Sequence, residues 1–168
     1  SNQLYIMDYN RVVKDLNGLT PAAFIEAVSL KFNVEQLSKE PFKPQALHEM
    51  GMYLNGSWYK LTSKPGTFTE DPIGILDVTI LQNNILDGIL GIVDPRTDAR
   101  VDFVGGIRGL QVLADRVDSG QFAAAFSLYA VTIDQLFAIA DSGNVMPPKS
   151  TWFEPKLRDG LLTHLIYE

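Results

Sequence analysis

The chain has 168 residues, a net charge of −6 and no cysteine. A single domain of this length can bury about 70% of its unfolded surface, so a substantial core is expected. The lack of cysteine excludes disulfides, cysteine nucleophiles and thiolate zinc sites. The negative charge makes nucleic acid and anionic membrane surfaces poor partners. No apolar run reaches the length of a membrane span, and we expect a cytoplasmic protein.

The chain begins abruptly. Ser1-Asn2 stands in place of an initial methionine and leads straight into an apolar segment at 4–7. We interpret 1–2 as a cloning remnant, and we expect 3–168 to form a single C-terminal domain of a longer protein. The N-terminal half of that protein would then be a natural partner of this chain.

Periodicity and turn signals predict an α+β fold with a mixed sheet covered by helices. Asn55-Gly56 lies between two strand-like runs and predicts a β-hairpin near 46–61, because both residues tolerate positive φ. Further strands are expected near 4–7, 34–37, 100–104, 121–131 and 161–167. The predicted helices lie near 21–32, 78–90, 108–118 and 133–142.

The ends of the predicted helices carry capping signals. Thr20-Pro21 opens the first helix, and Thr132 with Gln135 forms a capping box at the start of the last one. In the last helix we expect a buried face made of Ile133, Leu136, Phe137 and Ala140.

The segment 146–156 contains three prolines, two lysines, two hydroxyls and two aromatics. Proline reduces the entropy cost of holding one shape, and ammonium and hydroxyl groups donate hydrogen bonds to anions. Lys149, Ser150, Thr151 and Lys156 are therefore candidate ligands for phosphate or substrate. The alternative interpretation is a stiff connector that Trp152 and Phe153 fix to the core.

A second candidate site is a strand followed by Gly105-Gly106 and then by a helix, with Arg108 close by. Backbone amides at such a turn can bind an anion, but the glycine spacing fits neither a dinucleotide motif nor a P-loop. A simple tight turn is the alternative. Arg11 follows an apolar strand, where it can point into a cleft or form a surface ion pair.

Metal binding is not expected. His48 and His164 lie far apart in sequence, and neither has a second histidine at a metal-ligand spacing. We place His48 in the first strand of the hairpin as a structural residue. The carboxylates around 94–102 lack the pattern of a calcium loop, and no serine-nucleophile motif is present.

Several stretches together resemble the family called domain of unknown function 1015. They are Tyr9–Val13, 103–106, 125–126, 140–143 and above all the run Met-Pro-Pro-Lys-Ser-Thr-Trp-Phe-Glu-Pro-Lys at 146–156 with 157–161. The resemblance extends over most of the chain. It implies a cytosolic protein of bacteria or archaea that is longer than this chain.

The resemblance also implies a more amino-terminal Asp-Gly-His-His-Arg motif like that of the ParB/sulfiredoxin-like fold. Some relatives with that fold bind nucleotide and phosphorylate free serine. This chain lacks the motif, so by itself it should be inactive. The leading hypothesis is a substrate- or phosphate-binding domain of a nucleotide-dependent small-molecule phosphotransferase that uses ATP or ADP with Mg. A non-enzymatic interaction or scaffold domain is the alternative, so the sequence leaves open whether the protein is an enzyme.

Overall fold

The computed structural model describes residues 5–155, and these residues fold into two sheets and four α-helices. Lys156, His164 and the strand predicted at 161–167 lie outside the described residues. The strands are β1 (Tyr5–Met7), β2 (Tyr9–Val13), β3 (Phe32–Gln36), β4 (Glu49–Leu54), β5 (Ser57–Ser63), β6 (Val101–Gly105), β7 (Ala124–Leu128) and β8 (Trp152–Glu154). The helices are α1 (Pro21–Val28), α2 (Asp77–Leu81), α3 (Gln111–Asp118) and α4 (Ile133–Asp141).

The main sheet has six strands in the order β3-β5-β4-β7-β2-β6, and β1 pairs with β8 in a separate two-stranded sheet. The α+β class is confirmed. The prediction of a mixed sheet is wrong, because each pair of neighbouring strands in these two sheets is antiparallel. A parallel pair of neighbouring strands would require a crossover connection, usually a helix. The helices of this fold do not connect neighbouring strands in that way.

The predicted hairpin is confirmed as β4 and β5. Asn55 and Gly56 both have positive φ, 49° and 84°, and Leu54 pairs with Ser57 across the turn. The strands run over Glu49–Leu54 and Ser57–Ser63, slightly later than predicted. His48 is not in the first strand as predicted, since it forms the turn before β4 with a φ of 75°.

The predicted helices exist, but tertiary contacts shorten three of them. The first ends at Val28 rather than near residue 32, because Phe32 is recruited into β3 opposite Ser63. The helix predicted at 108–118 begins at Gln111, since Gly109 adopts a φ of 78° after a 3₁₀ turn over Gly106–Arg108.

The helix predicted at 78–90 divides into α2 and a π-helical segment over Gln82–Asp87. Gly88 follows the π segment, and a Cβ there would lie 2.8 Å from the carbonyl oxygen of Asn83. A glycine at this position therefore permits the wider turn.

The main sheet is covered on both faces, which explains why its central strands are buried throughout. Helices α1, α2 and α4 contribute side chains to the larger core on one face. Helix α3 covers the other face with Leu113 and Ala114. The hydroxyl of Tyr53 on β4 donates to Asp118 at the end of α3 over 2.7 Å and ties that helix to the sheet.

The buried face of α4 differs from the prediction. Leu136 and Ile139 are its buried side chains, whereas Ile133 and Phe137 are 46% and 51% exposed. The capping box of Thr132 and Gln135 is present as predicted. The helix therefore begins where the sequence indicates, but it is rotated so that one apolar edge remains accessible.

Within residues 5–155, no helix is both long enough and apolar enough to cross a membrane.

The glycine at position 51 in the middle of β4 provides a test of core packing. A Cβ there would press against Ser127 Oγ and lie 3.2 Å from a ring carbon of Trp58 and 3.0 Å from the Phe42 carbonyl oxygen. We expect Gly51→Ala to lower the free energy of unfolding by about 2 kcal/mol, since overpacking a rigid core is costly. Chemical denaturation measures this loss.

The matched background is Ser127→Ala, which removes the oxygen nearest to the added methyl group. In that background Gly51→Ala should cost about half as much. An equal cost in both backgrounds would show that the contact with Ser127 is not the cause.

Candidate functional site

The amino-terminal end of β2 is where several parts of the chain meet. Strand β2 pairs with β6 on one side, with Tyr9 opposite Gly105, and with β7 on the other. The short β1–β8 sheet lies next to this end and brings in the proline-rich loop that precedes β8. We call the group formed there the Arg11 cluster: Tyr9, Arg11, Phe103, Pro148, Lys149 and Trp152.

Arg11 is the centre of this cluster. Its side chain is 2% exposed, and its guanidinium lies 5.0 Å from the centroid of the Phe103 ring. Cross-strand pairing explains this contact, because Phe103 is opposite Arg11 in β6. The guanidinium donates to the backbone oxygen of Tyr9 and, over 3.2 Å, to that of Pro148.

The charge of Arg11 has no carboxylate partner within the described part of the chain, since none of the ion pairs found there includes it. Burial lowers the pKa of the Arg11 guanidinium to about 9, because desolvation disfavours the charged form. At neutral pH the arginine is still a cation. A buried cation that has two carbonyl oxygens and an aromatic ring as partners, but no carboxylate within residues 5–155, is an attractive partner for an anion.

The loop before β8 supplies a second cation. Lys149 has a φ of 55°, is exposed, and its Nζ lies 5.7 Å from the centroid of the Tyr9 ring. Its ammonium forms none of the ion pairs found among residues 5–155. The loop thus contacts β2 twice. The carbonyl oxygen of Pro148 accepts from Arg11, and the side chain of Lys149 lies over the ring of Tyr9.

The two hydroxyls of this loop differ. Ser150 is buried, and its hydroxyl donates to the carbonyl oxygen of Pro147, so the group is occupied by the backbone of its own loop. Thr151 is partly buried just before β8. Lys156, the last predicted ligand of this segment, is outside the described residues.

The Gly105–Gly106 turn lies against the same cluster. A Cβ on Gly105 would lie 2.5 Å from Cε3 of Trp152, so the absence of a side chain lets the indole pack on the strand end. Gly106 donates its amide to the carbonyl oxygen of Asp8 over 2.8 Å. Arg108 is exposed on the 3₁₀ turn that follows and has no ion-pair partner between residues 5 and 155.

The structure therefore brings together candidates that lie far apart in sequence. Arg11, Gly105 and Lys149 meet through Tyr9 and Trp152, and Gly106 and Arg108 continue along the same turn. The loop is also fixed to the fold, as the connector interpretation expects, since Trp152 packs on Gly105 and Phe153 is buried in the larger core.

Sequence reasoning missed the aromatic walls of the cluster. Tyr9 contacts both Phe103 and Trp152 edge-on, with ring centroids 6.1 and 5.5 Å apart. Tyr9 and Arg11 are two residues apart and so share one face of β2. The two-residue spacing of Tyr9 and Arg11 could have been recognised in the sequence. The contact of Phe103 with these residues could not, because it depends on the register between β2 and β6.

A second group of polar residues is structural. His48 donates its backbone amide to the Asp77 carboxylate over 3.0 Å, its Nε2 lies 3.2 Å from the Ile75 oxygen, and its ring packs on Phe68. Asp77 is the first residue of α2 and is 4% exposed. Burial raises the pKa of the Asp77 carboxyl to about 7, and nearby Glu49 adds to this increase.

No three His, Asp or Glu side chains within residues 5–155 gather in a way that could hold a metal ion.

Comparisons with known proteins bear on the fold and the family. A family model described as a protein of unknown function (DUF1015) matches residues 1–79. The predicted resemblance to this family is confirmed over that part of the chain. The match includes Tyr9–Val13 and ends before the run at 146–156, whose resemblance stays a prediction. No curated protein matches the chain significantly.

Solved structures share the fold. A point mutant of free serine kinase in complex with AMP matches with a TM-score of 0.53 and 12% identity, over 91% of this chain and 55% of that one. A conserved hypothetical protein from Pyrococcus furiosus matches with a TM-score of 0.52 and 14% identity, over 91% of this chain and 57% of that one. The chain thus spans a little over half the length of these structures, and the likeness shows a common fold.

Asp77 gives a pH-dependent prediction. Its pKa is near 3.8 in the unfolded chain and about 7 in the fold, so the folded state retains a proton that the unfolded state has released. The stability that this carboxyl contributes is therefore fully present below about pH 4 and is lost as pH rises towards 7, by on the order of 4 kcal/mol. Urea denaturation between pH 4 and pH 8 measures the slope.

In the same experiment Asp77→Asn should remove this slope and be more stable than the natural chain at pH 8, because the amide oxygen still accepts from His48. Asp87→Asn, at an exposed position, is the control and should leave the slope unchanged. A natural chain whose stability does not fall between these pH values would refute the assignment.

Proposed function

We propose that this chain is a phosphate-binding part of a nucleotide-dependent small-molecule phosphotransferase. Arg11, Lys149 and Arg108 would contact the phosphate groups beside the Gly105–Gly106 turn. The observation that carries the proposal is the buried Arg11 guanidinium, which has no carboxylate partner among residues 5–155. Thr151 and Lys156 are included as candidate phosphate ligands because of their positions in the sequence segment 146–156.

The physical reason is the cost of a buried charge. A cation removed from water is stabilised only if an opposite charge or several hydrogen bonds replace its hydration. Arg11 has two carbonyl partners, which satisfy part of its five N–H donors. A phosphate oxygen would provide the missing negative charge, and fixed cations around developing phosphoryl charge are what phosphoryl transfer requires.

The fold supports a nucleotide as the source of that phosphate. Free serine kinase, whose structures with AMP share this fold, is a nucleotide-bound kinase. For the present chain we propose ATP or ADP with Mg as the ligand in a longer protein. The chain contains no Asp-Gly-His-His-Arg motif, so we assign catalysis to a further part of that protein, which would be its partner.

Ligand-dependent stabilisation tests the site. ADP, AMP and inorganic phosphate should raise the melting temperature of the chain, and adenosine should have little effect, because only the phosphates meet the cations. Lys149→Gln and Arg108→Gln should each weaken binding by about tenfold, the value of one charged hydrogen bond. Lys39→Gln, on an exposed loop lysine, is the control and should leave binding unchanged.

Arg11 provides a sharper test, because its charge can be removed with little change in volume. In Arg11→Met the stabilisation by phosphate should be lost, whereas Arg11→Lys should retain part of it. Isothermal titration with phosphate and ADP measures both. Equal affinity of Arg11→Met and the natural chain would rule out this guanidinium as the phosphate partner.

A scaffold role is the second candidate, and one observation favours it. Ser150 and Arg11 direct hydrogen bonds to carbonyl oxygens of the loop at 147–148, so both side chains stiffen that loop. If this is their whole role, none of the phosphate compounds changes the melting temperature. Ser150→Ala and Arg11→Met would then lower stability equally with and without phosphate.

A further inference from the structure

The dipeptide Asn-Gly occurs twice in the chain, at Asn17-Gly18 and at Asn55-Gly56, and each copy follows a leucine. Both asparagines are exposed and have a left-handed backbone, with φ of 57° and 49°. The two glycines also agree, with φ of 82° and 84°. The two sites are therefore matched in local sequence and in backbone conformation.

The two asparagines differ in what holds their side chains. Nδ2 of Asn17 donates to the carbonyl oxygen of Ile89 over 3.2 Å, and the backbone amide of Asn17 donates to Oδ1 of Asp15 over 2.9 Å. The carboxamide of Asn55, at the tip of the hairpin, forms no hydrogen bond with another residue in the range 5–155. The amide of Gly56 donates to none of the turn and loop carbonyl oxygens of that range. Both groups are therefore free to react with each other.

We propose that Asn55 is a site of spontaneous deamidation and that the fold protects Asn17 from the same reaction. The amide nitrogen of Gly56 loses its proton and attacks the side-chain carbonyl carbon of Asn55. The bond from that carbon to Nδ2 breaks, and ammonia leaves with the proton. Water then adds across one of the two C–N bonds of the resulting succinimide, which gives aspartate or isoaspartate at position 55.

Glycine is the residue that allows this ring closure most easily. It has no side chain beside the attacking nitrogen, and its backbone rotates with little steric cost. At Asn17 the same attack requires the carboxamide to leave the oxygen of Ile89 first. That hydrogen bond is the difference on which the expected selectivity rests.

The two products affect the hairpin differently. Aspartate keeps the length of the backbone, and Asp-Gly suits the same two-residue turn. Isoaspartate adds one methylene to the backbone between Leu54 and Ser57, which pair directly across the turn. We expect isoaspartate to weaken the pairing of β4 with β5, because the register leaves no room for a longer turn.

Position 55 is at the end of the sheet opposite to the Arg11 cluster. Leu54 pairs with Ala124 of β7, and Ala124 pairs with Val13 at the carboxyl-terminal end of β2. The inference does not depend on phosphate binding. Asn55→Asp should leave the affinity for phosphate unchanged, so the deamidation site and the proposed function can fail separately.

Incubation of the folded chain at mildly alkaline pH, followed by peptide mass spectrometry, measures the loss of asparagine at both positions. We expect position 55 to deamidate at least about fivefold faster than position 17, the value of one hydrogen bond. In the chain unfolded by guanidinium chloride the two rates should become equal, because each asparagine then lies in an unfolded Leu-Asn-Gly segment.

Variants assign the released ammonia to one residue. Asn55→Asp should remove most of the ammonia released by the folded chain and keep the hairpin intact. Asn33→Asp is the matched control, since Asn33 is exposed on β3 and is followed by valine. This control should leave the release unchanged.

Three results would overturn the proposal. Equal rates at the two positions of the folded chain would show that the hydrogen bond to Ile89 does not protect Asn17. Deamidation of Asn55 only after unfolding would show that the turn itself prevents the attack. A fivefold difference that persists in guanidinium chloride would assign the selectivity to the neighbouring sequence instead of the fold.

Discussion

The pairing of β2 with two antiparallel neighbours is the constraint on which the site depends. β2 lies between β7 and β6, so its amino-terminal end meets the carboxyl-terminal ends of both. The Gly105–Gly106 turn and the residues that follow Leu128 therefore lie at the same end of the sheet. Neither a helix nor a disulfide is needed to hold these segments together, because the backbone hydrogen bonds of the sheet fix their spacing.

This arrangement buries a charge, which is unfavourable unless the charge is satisfied. Arg11 occupies an inner strand, where most neighbouring side chains are apolar, and lies over Phe103 with two carbonyl oxygens as partners. Those contacts are specific to the fold, since one of the carbonyls belongs to Pro148, 137 residues away. The loop at 147–150 and strand β2 thus stabilise each other, whether or not an anion is also present.

The same end of the sheet contains two different chemical environments. On one side, aromatic rings and cations surround Tyr9. On the other side lies a mainly apolar groove, lined by residues 5–8, Lys43, Pro44 and residues 128–133, and its charged residues in the described part of the chain are Asp8 and Lys43. Asp8 and Gly106 form the boundary between them.

The sequence by itself determined the local features of this protein. The Asn55-Gly56 turn, the capping box at Thr132 and the division into strands and helices follow from backbone preferences that act over a few residues. Arg11 and Lys149 also stood out, because a cation in an apolar strand and a lysine in a rigid loop are unusual locally.

The tertiary structure alone decided which of these features meet. Long-range pairing recruited Phe32 into a strand, made the sheet fully antiparallel and turned Ile133 and Phe137 of α4 outward. It also set Phe103 opposite Arg11 and opened the groove where β2 and β7 separate. These outcomes depend on strand order and register. Both are determined by many weak contacts distributed over the whole chain, so no short sequence pattern reveals them.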